Sequence, residues 1–372
     1  MKENPLKIIE KLGQSVWLDY IRRDLITSNE LRRLIDMDGL RGITSNPAIF
    51  EKAIAESNIY DHQIHDLNLR KKNSKEIYEL ISQQDVQNAA DEFRNVYDKT
   101  KGQDGYVSLE VNPHLAHDTH GTIEEARRLW TALNRPNVFI KIPATVNGLP
   151  AIRQLISEAI NINVTLIFGL PRYRQVVEAY ISGLEDRVKQ GKSLNHIASV
   201  ASLFLSRIDS LLDPLFEKII ESGSKTAVKA EEAHGQIAIS SAKAAYQIYK
   251  EIFGSERFKI LAEKGAHAQR LLWASTGTKN PGYSDIKYIE AIIGSNTVNT
   301  VPPETIDAYR DHGNPELRLE ENVVEANRIL LSLPELGIDI DKMTQQLEDE
   351  GVKKFNAPFD MLMEAITKKS SA

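Results

Sequence analysis

The chain has 372 residues, a formal net charge of −6 and no cysteine. The lack of cysteine excludes disulfides, thiol nucleophiles and thiolate-ligated metal or iron–sulfur centres. An acidic chain is a poor candidate for a broad nucleic-acid or membrane-binding surface, and neither an apolar signal core nor a membrane-spanning apolar run is present. We therefore expect a cytoplasmic protein that binds neither nucleic acid nor membrane.

Short apolar, β-branched runs alternate with longer helix-like stretches along most of the chain. Eight runs are typical of buried parallel strands, at residues 16–20, 42–46, 106–111, 138–142, 161–168, 197–203, 270–275 and 297–301. Strict alternation of strand and helix implies right-handed parallel crossovers. The pattern predicts an α/β fold, a (β/α)8 TIM barrel with extra helices, and leaves an open doubly wound sheet as the alternative.

Helical patterns are predicted at residues 29–38, 86–100, 126–133, 171–190, 205–221, 226–253, 283–293 and 317–333. Ser28 is the expected cap of the first, Asp85 precedes the second, and Thr122 with Glu125 has the spacing of a capping box. We expect a single barrel domain over residues 1–372. Its additional length lies in helical insertions at about 51–84 and 205–264 and in a C-terminal helical extension at 335–372.

One charged residue, Lys141, interrupts the apolar run of the fourth predicted strand, which Pro143 should end because proline cannot donate to a sheet. A buried ammonium is costly unless it is paired or loses its charge. A lysine desolvated in this way is a nucleophile near neutral pH. Lys141 is therefore a candidate Schiff-base lysine, and a structural salt bridge is the alternative.

The alternation of side chains along each strand indicates which polar residues can share a cavity with Lys141. Every predicted strand has one apolar parity, while the other becomes polar near the C-terminal end, where barrel active sites lie. Taken singly, Asp19 or Glu110 is equally consistent with a helix cap or an arginine partner. Their joint placement favours a site, and the set expected to face one cavity is Asp19, Asn46, Glu110, Lys141, Asn163 and Thr165.

Two late segments offer groups that bind phosphate. Ser202 and Arg207 flank the end of the sixth strand, and residues 273–282 supply hydroxyls, glycines and Lys279 before a new helix. Loops after late strands often hold phosphate in barrels. The alternative is a turn-rich loop with an exposed lysine.

A metal site is a weaker interpretation. Three histidines spaced three apart stand beside Asp118, but this stretch follows Asn112 in a strand-to-helix loop, where such spacing does not point side chains one way. Asp118 is better explained as the start of the next helix. We expect neither metal nor cofactor, since no dinucleotide fingerprint is present either; the histidines are His114, His117 and His120.

Several segments resemble transaldolase. Residues 39–47 (Gly-Leu-Arg-Gly-Ile-Thr-Ser-Asn-Pro) are similar to the family's first signature. Residues 138–145 (Val-Phe-Ile-Lys-Ile-Pro-Ala-Thr), followed by Gly-Leu-Pro-Ala-Ile at 148–152, resemble the second signature, around the Schiff-base lysine. Residues 161–168 resemble the family's Asn-x-Thr strand. The match extends from Asp19 to the last strand, and the inserts are similar to those of the bacterial subfamily of about this length.

The resemblance implies a barrel of the class I aldolase type and assigns roles to the polar set. Lys141 is the nucleophile, Glu110 is the general acid/base through a water held with Thr165, and Asp19 handles the proton of a sugar hydroxyl. The resemblance implies that the dihydroxyacetone hydroxyls bind Asn46 and Asn163, with Thr44 and Ser202 nearby. It implies that the phosphate is held by Arg207 and Ser275.

The chain departs from the family at one position. Better-known members have an arginine two positions after the seventh-strand serine, where this chain has Gly277. Lys279 is the expected substitute, although an ammonium is a point charge rather than a bidentate fork.

The implied reaction moves a dihydroxyacetone unit from sedoheptulose 7-phosphate to glyceraldehyde 3-phosphate, in the non-oxidative pentose phosphate pathway. The products are erythrose 4-phosphate and fructose 6-phosphate. Phosphorylated sugars are the expected partners, and the protein is expected to be a monomer or homodimer. Two alternatives remain open: a fructose 6-phosphate aldolase using the same lysine, and a non-catalytic barrel that binds sugar phosphates.

Overall fold

Eight parallel strands close into a barrel in chain order in the computed structural model, which describes residues 3–371. The strand β8 pairs with β1, so the sheet is closed. This confirms the predicted (β/α)8 barrel and shows that the open-sheet alternative is wrong. The strands are β1 Gln14–Asp19, β2 Gly42–Thr44, β3 Tyr106–Glu110, β4 Val138–Pro143, β5 Ile162–Ile167, β6 Ser199–Phe204, β7 Arg270–Ala274 and β8 Thr297–Val301.

Helices surround the barrel and fill the longer connections. The α-helices are α1 Pro5–Lys11, α2 Arg23–Thr27, α3 Glu30–Asp38, α4 Pro47–Ala55, α5 Asp61–Leu69, α6 Ser74–Glu92, α7 Arg94–Lys99, α8 Thr119–Leu133, α9 Gly148–Ser157, α10 Leu170–Lys189, α11 Ser206–Glu221, α12 Ala227–Ala233, α13 Ile237–Phe253, α14 Glu256–Ala262, α15 Lys287–Ala291, α16 Pro303–His312, α17 Val323–Ser332 and α18 Ile340–Ser370. Short 3-10 helices span Pro113–Leu115 and Leu333–Leu336. None of the helices between residues 3 and 371 combines the length and apolarity that a bilayer crossing requires.

Two predicted helix starts are wrong because better caps lie upstream. Asp85 is inside α6, which begins at a capping box formed by Asn73 and Glu76. Thr122 is inside α8, whose N-cap is Asp118, with its carboxylate accepting from the backbone N–H of Gly121. The alternative that Asp118 begins a helix is thus confirmed.

Other helix boundaries also differ from the prediction. The N-cap of α3 is Asn29, in the left-handed region at φ 64°, rather than Ser28. The predicted helix at 226–253 is interrupted between α12 and α13, where Gly235 has φ 68°. The carboxylate of Asp209 accepts from the N–H of Ala238 at 2.8 Å, which satisfies a free donor at the start of α13. The predicted helices at 283–293 and 317–333 are shorter, as α15 and α17.

Aromatic rings occupy the interior of the barrel beneath its C-terminal end. Phe139 stacks on Tyr106 and Trp17, with ring centroids 4.2 and 6.0 Å away. A Cβ on Gly42 would lie 2.6 Å from Trp17 Cδ2, so only glycine leaves room for the indole. Because this layer is packed with rigid rings, the polar residues of the same strand parity collect above it.

The C-terminal helix α18 runs along the end of the barrel where the strands terminate. It packs against α4, α5, α6 and α11 and contacts β5. Gly351 permits the close approach, since a Cβ there would lie 3.1 Å from Leu166 Cδ2. The C-terminal extension predicted from sequence is therefore part of the wall above the barrel.

Candidate active site

A cavity of about 170 Å³ opens at the C-terminal ends of the strands. Nine predicted site residues line it: Asp19, Thr44, Asn46, Lys141, Thr165, Ser202, Arg207, Ser275 and Lys279. Two others, Glu110 and Asn163, lie behind this wall and contact residues that form it. The structure thus brings the predicted polar set together at the end of the barrel where active sites of this fold occur.

Lys141 is 4% exposed and reaches the cavity from β4. Its Nζ donates to the Ser45 carbonyl at 2.8 Å and lies 3.3 Å from Glu110 Oε2. Glu110 and Lys141 are register partners in the β3–β4 pair, so their side chains emerge side by side. Lys141 therefore forms the salt bridge that was the alternative interpretation, and it also lines the cavity.

Glu110 is buried without enough hydrogen bonds. Neither of its carboxylate oxygens, nor Thr165 Oγ1, has a hydrogen-bond partner among residues 3–371, and the approach of Lys141 is an ion pair without hydrogen-bond geometry. Burial raises the pKa of Glu110, and the charge of Lys141 opposes this. Unsatisfied buried polar atoms are rare in native proteins and indicate a bound water or a functional group.

Asp19 stands at the end of β1, two strands from the β3 strand of Glu110 in the barrel order. Its Oδ1 accepts from Thr44 Oγ1 at 2.7 Å, and Thr44 Oγ1 lies 2.5 Å from Thr300 Oγ1. Burial raises the pKa of Asp19, while Lys141 and the hydroxyl of Thr44 lower it less strongly. The carboxyl is therefore oriented by a hydroxyl and disposed to hold a proton.

Two amides are fixed by hydrogen bonds. Asn163 on β5 accepts from Ser202 Oγ at 2.6 Å and donates to Ser108 Oγ at 3.2 Å, so it lies beneath Ser202 rather than on the cavity surface. Asn46 is not on a strand as predicted, because β2 ends at Thr44; it is the N-cap of α4 and accepts from the N–H of Ile49 at 3.0 Å. Its amide nitrogen remains available to the cavity.

The far end of the cavity is cationic. Arg207, in the first turn of α11, lies 5.6 Å from the Phe204 ring centroid, and its Nη1 is buried without a partner among the described residues. Burial lowers the pKa of the Arg207 guanidinium. Ser275 adopts φ 54°, and its Oγ lies 2.9 Å from Ser206 Oγ. Lys279 is exposed at the rim.

Gly277 faces Pro302 closely. A Cβ at 277 would lie 3.1 Å from Pro302 Cγ, a contact that requires the ring to shift. Position 277 is thus crowded, and the cations at this end of the cavity are Arg207 and Lys279.

Several lining residues lie outside the predicted set. Thr300 is the register partner of Trp17, so it faces the same side of the sheet as Asp19. The residue types of β8 do not show this, because both parities of that strand carry polar side chains. Phe355 comes from α18, and no local pattern shows which part of the extension reaches the barrel. The remaining additions are Phe204, Ala274, Thr276, Gly277 and Pro302.

His114, the first of the three spaced histidines, contacts α18. The Nε2 of His114 lies 2.7 Å from Asp360 Oδ1, and its ring packs edge-on against Phe359 of α18. Across residues 3–371, no group of three or more His, Asp or Glu is placed to hold a metal ion.

Comparison with known proteins identifies the family. The model of the transaldolase/fructose-6-phosphate aldolase family matches residues 16–366. A transaldolase from Trichodesmium erythraeum is 49% identical over 373 residues, covering 99% of this chain and 98% of the relative. A transaldolase 2 from Nostoc sp. is 47% identical, with 99% and 98% covered, and a transaldolase from Frankia alni is 42% identical, with 98% and 97% covered. A match of this extent shows that the chain belongs to the transaldolase/fructose-6-phosphate aldolase family.

Proposed function

We propose that the protein is a transaldolase, which transfers a dihydroxyacetone unit from sedoheptulose 7-phosphate to glyceraldehyde 3-phosphate in the non-oxidative pentose phosphate pathway. The observation that carries the proposal is the buried Lys141–Glu110 pair, 3.3 Å apart, at a cavity with cationic groups at its far end. The relatives named transaldolase support the reaction type.

Lys141 is the proposed nucleophile. Its neutral amine attacks the ketose carbonyl, and loss of water gives a protonated imine, which withdraws electrons from the adjacent carbon–carbon bond. A proton must leave the ammonium before attack, and another must reach the departing hydroxyl. Glu110 is the proposed group for both, through a water held with Thr165, which the unsatisfied oxygens of both side chains support.

Asp19 is the proposed acceptor of the sugar-hydroxyl proton when the carbon–carbon bond breaks and the first aldehyde leaves. Burial raises the pKa of this carboxyl, which favours holding the proton until the second aldehyde arrives. The hydrogen bond from Thr44 supports the role, because it fixes which carboxylate oxygen faces the cavity. The enamine on Lys141 then attacks the acceptor, and the same steps run in reverse.

The sugar is proposed to bind the side chains whose hydrogen-bonding groups and charge match its hydroxyls and its phosphate. The hydroxyls of the dihydroxyacetone unit are proposed to bind Asn46 and Ser202, with Thr44 and Asn163 supporting them. The phosphate is proposed to bind at the cationic end, where the buried Arg207 Nη1 has no partner among residues 3–371. The cavity residues proposed for this end are Arg207, Ser275 and Lys279.

Borohydride reduction in the presence of fructose 6-phosphate tests the mechanism. We expect a stable adduct on Lys141, located by peptide mass mapping, and no adduct in Lys141→Ala. Lys279→Ala is the matched control, since it removes an ammonium at the rim and should retain the adduct. An adduct on another lysine, or none in the wild type, contradicts the proposal and favours a barrel that only binds sugar phosphates.

A fructose 6-phosphate aldolase is the second candidate, because the family model includes both activities. The two are separated by a coupled assay of fructose 6-phosphate cleavage with and without erythrose 4-phosphate. Turnover that depends on the acceptor indicates a transferase. Equal release of dihydroxyacetone without acceptor indicates the aldolase.

A further inference from the structure

Phe355 of α18 is the apolar group beside the candidate nucleophile. Its ring centroid lies 5.7 Å from Lys141 Nζ, and the side chain is 7% exposed while lining the cavity. The polar groups lining the same cavity include hydroxyls, an amide and a carboxylate, and the second aromatic ring of the lining, Phe204, lies against Arg207. A phenyl ring at this place offers no hydrogen bond to water and occupies space that water would otherwise fill.

The ring is held in place from both sides along the helix. Gly351, one turn earlier, packs against the end of β5, where its Cβ position is 3.1 Å from Leu166 Cδ2 and 3.4 Å from Phe168 Cε2. Phe359, one turn later, packs edge-on against Tyr78 with centroids 5.7 Å apart. Residues four apart share a helix face, so Gly351 and Phe359 fix the height at which Phe355 stands over the cavity.

We propose that Phe355 is a specificity-determining residue that excludes water from the imine and enamine on Lys141. It thereby sets the ratio of dihydroxyacetone transfer to dihydroxyacetone release. This inference rests on the proposed function, because it concerns the fate of the intermediate formed there. Phe204 at the end of β6 also lines the cavity, but its ring lies against Arg207 at the far end. The ring beside Lys141 comes from the C-terminal extension.

The competing reaction needs only water. The enamine carbon takes the proton that Asp19 accepted during cleavage, which forms a carbon–hydrogen bond and restores the protonated imine. Water then adds to the imine carbon and loses a proton to the site. The carbon–nitrogen bond breaks, the amine of Lys141 is regenerated, and dihydroxyacetone leaves. Transfer instead forms a carbon–carbon bond to the acceptor aldehyde. Each water molecule admitted beside Lys141 favours the first route over the second.

The test compares Phe355→Ala, Phe355→Leu and Phe359→Ala in the full chain. Phe359 is the control, since it is 6% exposed on the same helix face and does not line the cavity that holds Lys141. It borders a separate small void beside Glu110, so its truncation tests whether loosening α18 near the acid/base is enough to change the ratio. Two rates are measured for each: dihydroxyacetone release from fructose 6-phosphate without acceptor, and transfer with acceptor present. Their ratio distinguishes the proposal from loss of stability, which lowers both rates together.

We expect the release-to-transfer ratio to rise on the order of tenfold in Phe355→Ala, less in Phe355→Leu, and not in Phe359→Ala. The leucine variant keeps the test valid if the alanine variant does not fold. An unchanged ratio in both Phe355 variants, or an equal rise in Phe359→Ala, overturns the inference. If the wild type forms no borohydride-trapped adduct, the proposed function fails instead, and this separates the two results.

Discussion

Thr44 Oγ1 donates a 2.7 Å hydrogen bond to Asp19 Oδ1 and at the same time lies 2.5 Å from Thr300 Oγ1. Three neighbouring strands, β8, β1 and β2, thus orient one carboxyl at the edge of the cavity. The hydrogen bond lowers the pKa of Asp19, but burial outweighs it and leaves the pKa raised. Asp19 is therefore a carboxyl whose ionisation is costly in the folded protein, and folding stability gives no reason for this cost.

Asp19→Asn should separate activity from stability. We expect transfer to fall by about 10²–10⁴-fold, the range for a positioned acid/base group. We also expect equal or higher thermal stability at neutral pH, because the amide removes the cost of burying a carboxylate. Steady-state transfer rates and calorimetry on the same preparations check both parts. A large loss of stability together with activity would show that Asp19 is mainly structural.

The pH dependence of this stability has a definite sign. Since the folded-state pKa of Asp19 is raised, the folded protein binds more protons than the unfolded chain just above pH 3.8, and this contribution to stability falls as pH rises through the folded-state pKa. Asp19→Asn should therefore lose this part of the slope. Equilibrium denaturation at several acidic pH values measures it, and identical slopes in both proteins would contradict the raised pKa.

Thr165→Val should impair chemistry without weakening the fold. Thr165 Oγ1 has no hydrogen-bond partner among residues 3–371, so removing it sacrifices no bond within the protein. If it holds a water for Glu110, we expect kcat to fall by roughly 10- to 100-fold, corresponding to ~1–3 kcal/mol for an unsatisfied group. Thr165→Ser keeps the hydroxyl and is the control. Equal kcat in the valine and serine variants excludes the water-holding role.

The sequence predicts the inward polar set well where strands are regular. Glu110 and Lys141 alternate with apolar neighbours, and their register in the β3–β4 pair follows the two-residue period. The same rule places Asp19 at the end of β1. These predictions depend on spacing within one strand and on the common direction of parallel strands, and both are properties of local sequence.

Other features could not be predicted because they depend on distant packing. Leu166 adopts φ 61°, and the β5–β6 register shifts between Val164 and Ile167, although nothing in the residue types marks this irregularity. Phe355 reaches the cavity only because α18 lies over the barrel end. The strand rule also placed Asn46 in β2, whereas it caps α4. Sequence periodicity specifies a face of an element, but not which other element covers it.

The phosphate end should show unequal roles for its two cations. Arg207 Nη1 is buried and has no hydrogen-bond partner within the described part of the chain, whereas Lys279 is exposed. We expect Arg207→Lys to raise KM for fructose 6-phosphate by roughly 10- to 100-fold, because the point charge of lysine cannot replace the planar guanidinium. This range corresponds to the ~1.5–3 kcal/mol that a hydrogen bond to a charged group contributes. Lys279→Ala should raise KM about 2- to 5-fold, and less at high salt. Initial rates at two ionic strengths check this, and a larger effect at Lys279 reverses the assignment.

Gly42→Ala should destabilise the barrel from its interior. A Cβ at 42 would lie 2.6 Å from Trp17 Cδ2 and 2.8 Å from the Tyr106 carbonyl oxygen, and neither can withdraw without moving a strand or the stacked rings. Overpacking of this kind costs ~1–3 kcal/mol or more. Gly282→Ala is the control, because its Cβ position is 3.2 Å only from the flexible side chain of Asn280. Urea denaturation of both variants measures the difference. Equal midpoints would mean that the stacked rings shift to accommodate a methyl group, and that the layer beneath the cavity is less rigid than its packing indicates.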